Sequence, residues 1–222
     1  MTNQLIAYHD DPSVKDAIMA QLAEHRKADE IVQGQYWENG KGCAVGCTIH
    51  GDNHMEYERR FGIPVMLARL EDRIFEGLPN DKAQKWPERF MGAIKPGADL
   101  SLVGWKFQWW LLTDPKVNPG IQHPLVAEAV KLCADALYPL TKGKPVDVEA
   151  AESAKSAARS AAESAARSAW SARSAAESAA WSAAESAAES AAESAARSAA
   201  RSAWSAAYVR MSDKLVRLLR AA

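Results

Sequence analysis

The residues best suited to chemistry stand close together in the stretch Gly40-Lys41-Gly42-Cys43-Ala44-Val45-Gly46-Cys47-Thr48-Ile49-His50, followed by His54. Two thiols and two imidazoles serve two kinds of chemistry: a thiolate nucleophile with a histidine base, or ligation of a soft metal ion. Positions 43, 47, 50 and 54 fall at i, i+4, i+7 and i+11, one face of a helix if it were continuous. Four donors strung along such a helix span roughly 16 Å, too far for one tetrahedral zinc, so the spacing assigns no metal and no cofactor. Cys43 follows a Gly-x-Gly turn and falls in the first turn of a short helix expected over 43–50, where the helix dipole lowers a thiol pKa. With His50 as base, Cys43 and His50 make the catalytic pair of a cysteine- or metal-dependent hydrolase centred on Cys43, Cys47 and His50. The competing reading is structural: Cys, Ala and Gly pack closely in a core, and His50 is a satisfied buried polar group.

A binding site draws on the same region. Tyr36 and Trp37 lie on a loop between Gly34 and Gly42, and with Cys43, His50 and His54 they offer aromatic and polar groups to a ligand. Trp109, from the cluster Trp105, Phe107, Trp109 and Trp110, completes the set; aromatics at this helical spacing equally suit a core. Arg69, Asp72, Arg73 and Glu76 read as a solvated, salt-bridged helix face.

These residues need helices to position them. Asp11-Pro12-Ser13 starts one, with Val14, Ile18, Met19 and Leu22 at helical spacing. Gly51-Asp52-Asn53 stops the short cysteine helix and caps the next, which runs through Arg60. Gly62-Ile63-Pro64 opens the clearest helix, with Val65, Leu67, Leu70, Ile74, Phe75 and Leu78 on its apolar side. Further helices are expected over about 81–94, distorted at Pro87, from Asp99 or Ser101 through the tryptophans, and from Pro124 through Leu137. No alternating strand stands out, so the fold class is all-α.

From about Glu149 to Ala207 the chain changes character, repeating Ser-Ala-Ala-X with X as Glu, Arg or Trp. The serines recur at a mean step of about 3.7 residues, just above the helical period, which excludes a left-handed heptad seam. No Gly or Pro follows Pro145, so one helix from Val146 to the C-terminus is expected, roughly 110 Å long. Glu163 with Arg167 and Glu193 with Arg197 stand at i,i+4, while Glu185, Glu189 and Glu193 repel one another. Either the helix is solitary, or its Ala face pairs with another helix, in an oligomeric coiled coil or back on its own domain. Trp170, Trp181 and Trp204 would anchor self-association, together with Leu215 and Leu219 in the basic amphipathic end. That end suits protein docking better than a bilayer.

The expected organisation is therefore an all-α domain over 1–145, a repeat helix over 146–207 and a basic amphipathic end over 208–222, with removal of residues 150–222 leaving a folded monomer. The net charge is −1 over 222 residues, so no overall field attracts nucleic acid. Charges nearly every turn exclude a membrane span in the repeat. MTNQLIAYHDD lacks the basic leader and apolar run of a signal peptide, and three sparse cysteines suit a reducing cytoplasm.

The segment GKGCAVGCTIHGDNHMEYERRFGIPVMLARLEDRIFEGLPN resembles a group of uncharacterised bacterial and bacteriophage proteins. The likeness rests on Gly-Cys-Ala-Val-Gly-Cys-x-x-His and the FGIP…LARLEDRIFEGL helix, similarly followed by Ala-rich repeats, and covers most of residues 35–140. It implies a shared origin and fold, not a reaction; a phage origin would point to interference with a host defence system. The first functional expectation is thus a non-enzymatic, cytoplasmic, homo-oligomeric interaction protein that sequesters a small molecule or a host protein. The alternative is the hydrolase above.

Overall fold

Asp11 caps the first helix as its position suggests: its Oδ1 accepts the Ser13 amide at 2.8 Å, and Pro12 occupies the first turn of α1 (Pro12–Lys27). The computed structural model describes residues 5–124, 126–183 and 188–222, with the side chains of 119 and 169–197 excepted. These residues form an all-α fold of two units, Met1–Phe107 with Tyr208–Ala222, and Gln108–Ala207.

In the first unit, α1 is followed by a two-residue antiparallel hairpin, β1 (Trp37–Glu38) and β2 (Lys41–Gly42), whose turn places Asn39 and Gly40 at positive φ. The sequence offered no alternation here because the strands are too short to have any. Four helices then build the core: α2 (Ala44–Ile49), α3 (Glu56–Phe61), α4 (Val65–Gly77) and, after α5 (Asn80–Ala83), α6 (Trp86–Ala93). The helix expected over 81–94 is broken in two, and Pro87 sits in the first turn of α6, where its missing N–H costs nothing. α7 (Val103–Thr113) contributes Val103 and Phe107. α2 packs against α1, α4 and α6 around Tyr57, Trp86, Phe90, Phe75, Leu67 and Leu22, all fully buried.

The chain's far end completes this core. In α10 (Ala188–Arg220), Leu215, Val216 and Leu219 are at most 2 % exposed. The Tyr208 ring lies so close to Gly77 that a β-carbon there would overlap it, and Arg89 pairs with Asp213 at 2.7 Å. Leu215 and Leu219, expected at a self-association surface, are consumed by the chain's own core. Arg217 and Arg220 remain on the outside.

The second unit holds α8 (Ala127–Leu137) against α9 (Val148–Ala183). Ala129, Ala134 and Ala154 are buried, and the Cys133 thiol reaches the Ala154 carbonyl at 3.7 Å. Small side chains let two helices approach closely, so residues 108–145 group with the repeat rather than with the preceding helices. Within α9 the less exposed positions 151, 154, 157, 158, 161, 164 and 165 trace one face, nearly all alanine. Arg167 donates to Ser164 Oγ at 3.2 Å instead of pairing with Glu163. The continuous helix to the C-terminus and the Glu185 repulsion fall partly on 184–187, outside the described residues, as do the side chains of Trp170, Trp181, Glu189 and Glu193. Trp204 is 62 % exposed. Among the described residues, no helix is long and apolar enough to cross a membrane.

Candidate functional site

The glycine pattern around Cys43 is explained by what passes over it. A β-carbon on Gly42 or on Gly46 would collide with the Tyr36 carbonyl. Gly-Cys-x-x-Gly therefore lets the 34–37 loop lie directly on the start of α2, pinned by the Cys43 amide donating to Gln35 O at 2.7 Å and Tyr36 O at 3.1 Å. Cys43 is the residue that caps α2, its Sγ accepting the Gly46 amide at 3.4 Å.

α4 supplies the opposite wall. Asp72 and Glu76 stand one turn apart, hence on one side of the helix. Asp72 Oδ1 accepts from the Cys43 thiol at 3.5 Å, while Oδ2 meets the Tyr36 hydroxyl and His54 Nε2, each at 3.3 Å. Glu76 accepts the Gly34 amide at 3.0 Å. Gly34, Gln35, Tyr36, Cys43, Asp72 and Glu76 line a pocket of about 200 Å3. Arg69 and Arg73 point to solvent and, among the described residues, neither pairs with Asp72 or Glu76. The salt-bridged face expected of these four residues is therefore corrected: the two carboxylates are turned to the pocket.

The thiols are not activated. Burial, joined by the Asp72 charge, pushes Cys43 up to about 12, and burial with the Glu30 charge does the same for Cys47. The lowered thiol pKa expected from the helix dipole is overridden because α2 is short and the sulfur is desolvated beside a carboxylate. Among the described residues, Cys47 Sγ hydrogen-bonds only to the carbonyls of Gly42, at 3.3 Å, and Glu30, at 3.7 Å. It is a core residue.

His50 does not serve Cys43. It ends α2 in the left-handed region (φ 54°), stacks on Trp37 with ring centroids 4.3 Å apart, and sets Nε2 2.9 Å from His25 Nε2. His25 Nδ1 in turn meets Glu30 at 2.6 Å. Burial and the neighbouring His25 and Arg60 lower the His50 pKa. The expected binding residues thus separate into three places. Tyr36, Cys43 and His54 converge on Asp72; Trp37 and His50 form the histidine cluster; Trp109 belongs to the second unit, its ring 5.6 Å from Tyr138.

Sequence reasoning missed Asp72 and Glu76 as site residues, and it missed Glu71 entirely. Glu71 is fully buried, takes a 2.5 Å hydrogen bond from Tyr57, and is pushed up to about 8, chiefly by burial. Its signal was available: it stands four residues after Leu67 and four before Phe75, on the apolar stripe of α4. The chain matches no family model, no curated protein and no solved structure. Its function must be read from its own side chains.

Proposed function

We propose that this chain is a binding protein that takes a small cationic ligand in the pocket between Tyr36 and α4, with the Ala-rich helix holding copies together. The observation that carries the reading is the pair of carboxylates, Asp72 and Glu76. They line the pocket together and have no Lys or Arg partner among the described residues. Two carboxylates without a Lys or Arg partner in a partly enclosed site favour a cation. Tyr36, 44 % exposed at the same pocket, adds an aromatic face of the kind that attracts one. The buried, protonated thiols and the engagement of His50 with His25 and Trp37 speak against the hydrolase.

Sequestration of a small molecule fits a site of this volume better than capture of a host protein, which needs a far larger surface. The oligomeric part of the proposal draws on Trp204, which is 62 % exposed on the repeat. Titrating the full chain with spermidine, guanidinium and divalent cations, and in parallel with phosphate and citrate, tests the pocket. A cation should raise the melting temperature, by about 2.7 kcal/mol of stabilisation at a hundredfold excess over Kd, and Asp72→Asn with Glu76→Gln should abolish the gain. Stabilisation by the anions alone, or by cations equally in the double variant, would overturn the reading.

A further inference from the structure

The pocket's donors are more selective than charge alone requires. Cys43 Sγ and carboxylate oxygens of Asp72 and Glu76 lie within 4.8 Å of one another. We propose that Cys43, Asp72 and Glu76 bind one divalent ion of the zinc class, leaving one coordination position open to the pocket. This rests on the cationic-pocket reading and names its ligand.

The geometry suits such an ion. A sulfur at about 2.3 Å and an oxygen at about 2.0 Å from a tetrahedral centre stand roughly 3.5 Å apart. Cys43 Sγ and Asp72 Oδ1 are separated by 3.5 Å. Asp72 is also oriented for the task, because the Tyr36 hydroxyl and His54 hold Oδ2 and leave Oδ1 turned to the sulfur. Hydrogen bonds from a surrounding shell that fix a ligand's direction are characteristic of metal sites. Glu76 is held by the Gly34 amide on the other side. The scaffold beneath is stiff: Asp72 and Glu76 share one helix, and Cys43 is locked by the glycine seam under Tyr36.

The donor types decide the class of ion. A thiolate beside two carboxylates favours zinc and its neighbours over magnesium or calcium, which take oxygen alone. Binding replaces the Cys43 proton with the metal, so one proton leaves the sulfur for solvent as the sulfur–metal bond forms. The sequence run 43, 47, 50 and 54 could not gather four ligands along one helix; this site takes only Cys43 from it and completes the set from α4.

Equilibrium dialysis of the full chain against Zn2+ and Co2+, with metal counted by mass spectrometry, tests the site. About one ion per chain is expected, and the Co2+ form should show a near-ultraviolet thiolate charge-transfer band. Cys43→Ser should remove the band, and Cys43→Ser and Glu76→Gln should each weaken binding by at least about 10- to 100-fold, the loss that removing even a surrounding partner of a metal ligand causes. Glu76 is on the surface, so its variant remains informative if Cys43→Ser does not fold. His50→Ala should leave uptake unchanged. Absence of uptake, or uptake lost in His50→Ala and kept in Cys43→Ser, overturns the metal site. Spermidine binding that depends on Asp72 and Glu76, without metal uptake, overturns the metal site alone; binding of neither overturns the pocket reading as well.

Discussion

Deleting residues 208–222 should unfold the first unit or lower its melting temperature by some tens of degrees. Leu215, Val216 and Leu219 are buried against it at 0–2 % exposure. Each such side chain contributes about 1.5–3 kcal/mol when removed from water, so the loss is on the order of 5 kcal/mol, comparable to the whole stability of a small domain. The deletion also opens the groove at Gly77 and removes the Asp213 partner of Arg89. Leu215→Asp with Leu219→Asp should do the same by placing carboxylates in the core. Circular dichroism melts of the full chain and the deletion decide it. If residues 208–222 served only as a contact between copies, the deletion would change the mass in solution and leave the melt of the helices before Phe107 unmoved. This reverses the expectation that removing residues 150–222 leaves a folded domain.

The second large effect concerns Glu71. Its folded pKa of about 8 lies above the ordinary 4.5, because a fully buried carboxylate is poorly solvated. Below pH 4.5 the proton is bound in both folded and unfolded chains, and the full stability associated with it is present. Between 4.5 and 8 the unfolded chain releases the proton while the folded chain keeps it, so stability falls by about 1.4 kcal/mol per pH unit. Above 8 the loss levels off, at a total on the order of 4–5 kcal/mol. Glu71→Gln preserves the shape of the protonated group and cannot ionise. Urea melts from pH 5 to 8.5 should show the wild type losing stability against the variant steadily across this range, with the two close together at the acid end. Parallel profiles would mean that Glu71 is ionised in the folded chain.

How much was legible in the sequence follows from which forces were local. α4 was readable because its apolar stripe recurs at helical spacing and Gly62-Ile63-Pro64 marks its start; Gly62 indeed adopts the left-handed conformation that closes α3. The helix from Asp11 was readable from its cap. The site was legible only in part. Cys43, Tyr36 and His54 were singled out by type, but their meeting point, Asp72, read as surface because its sequence neighbours include arginines. Its partners arrive from 18, 29 and 36 residues away, and sequence spacing carries no trace of such approaches. The Cys43–His50 pairing failed for the same reason: His25, from α1, takes the imidazole first. The repeat was legible as helix, but alanine's small area cannot tell which partner it meets. α8 provides one within the chain, through Ala134, Ala154 and Cys133.

The account stands or falls on whether the Asp72–Glu76 pocket holds a cation when the protein is purified without chelators. A native mass spectrum of the full chain from neutral ammonium acetate measures this, and gives the number of associated copies in the same experiment. The account predicts a mass above that of the bare polypeptide, one cationic adduct per chain, absent from the Asp72→Asn, Glu76→Gln variant under the same conditions. A bare chain mass that stays bare after incubation with zinc and with polyamines, or an adduct that survives in the double variant, would contradict it.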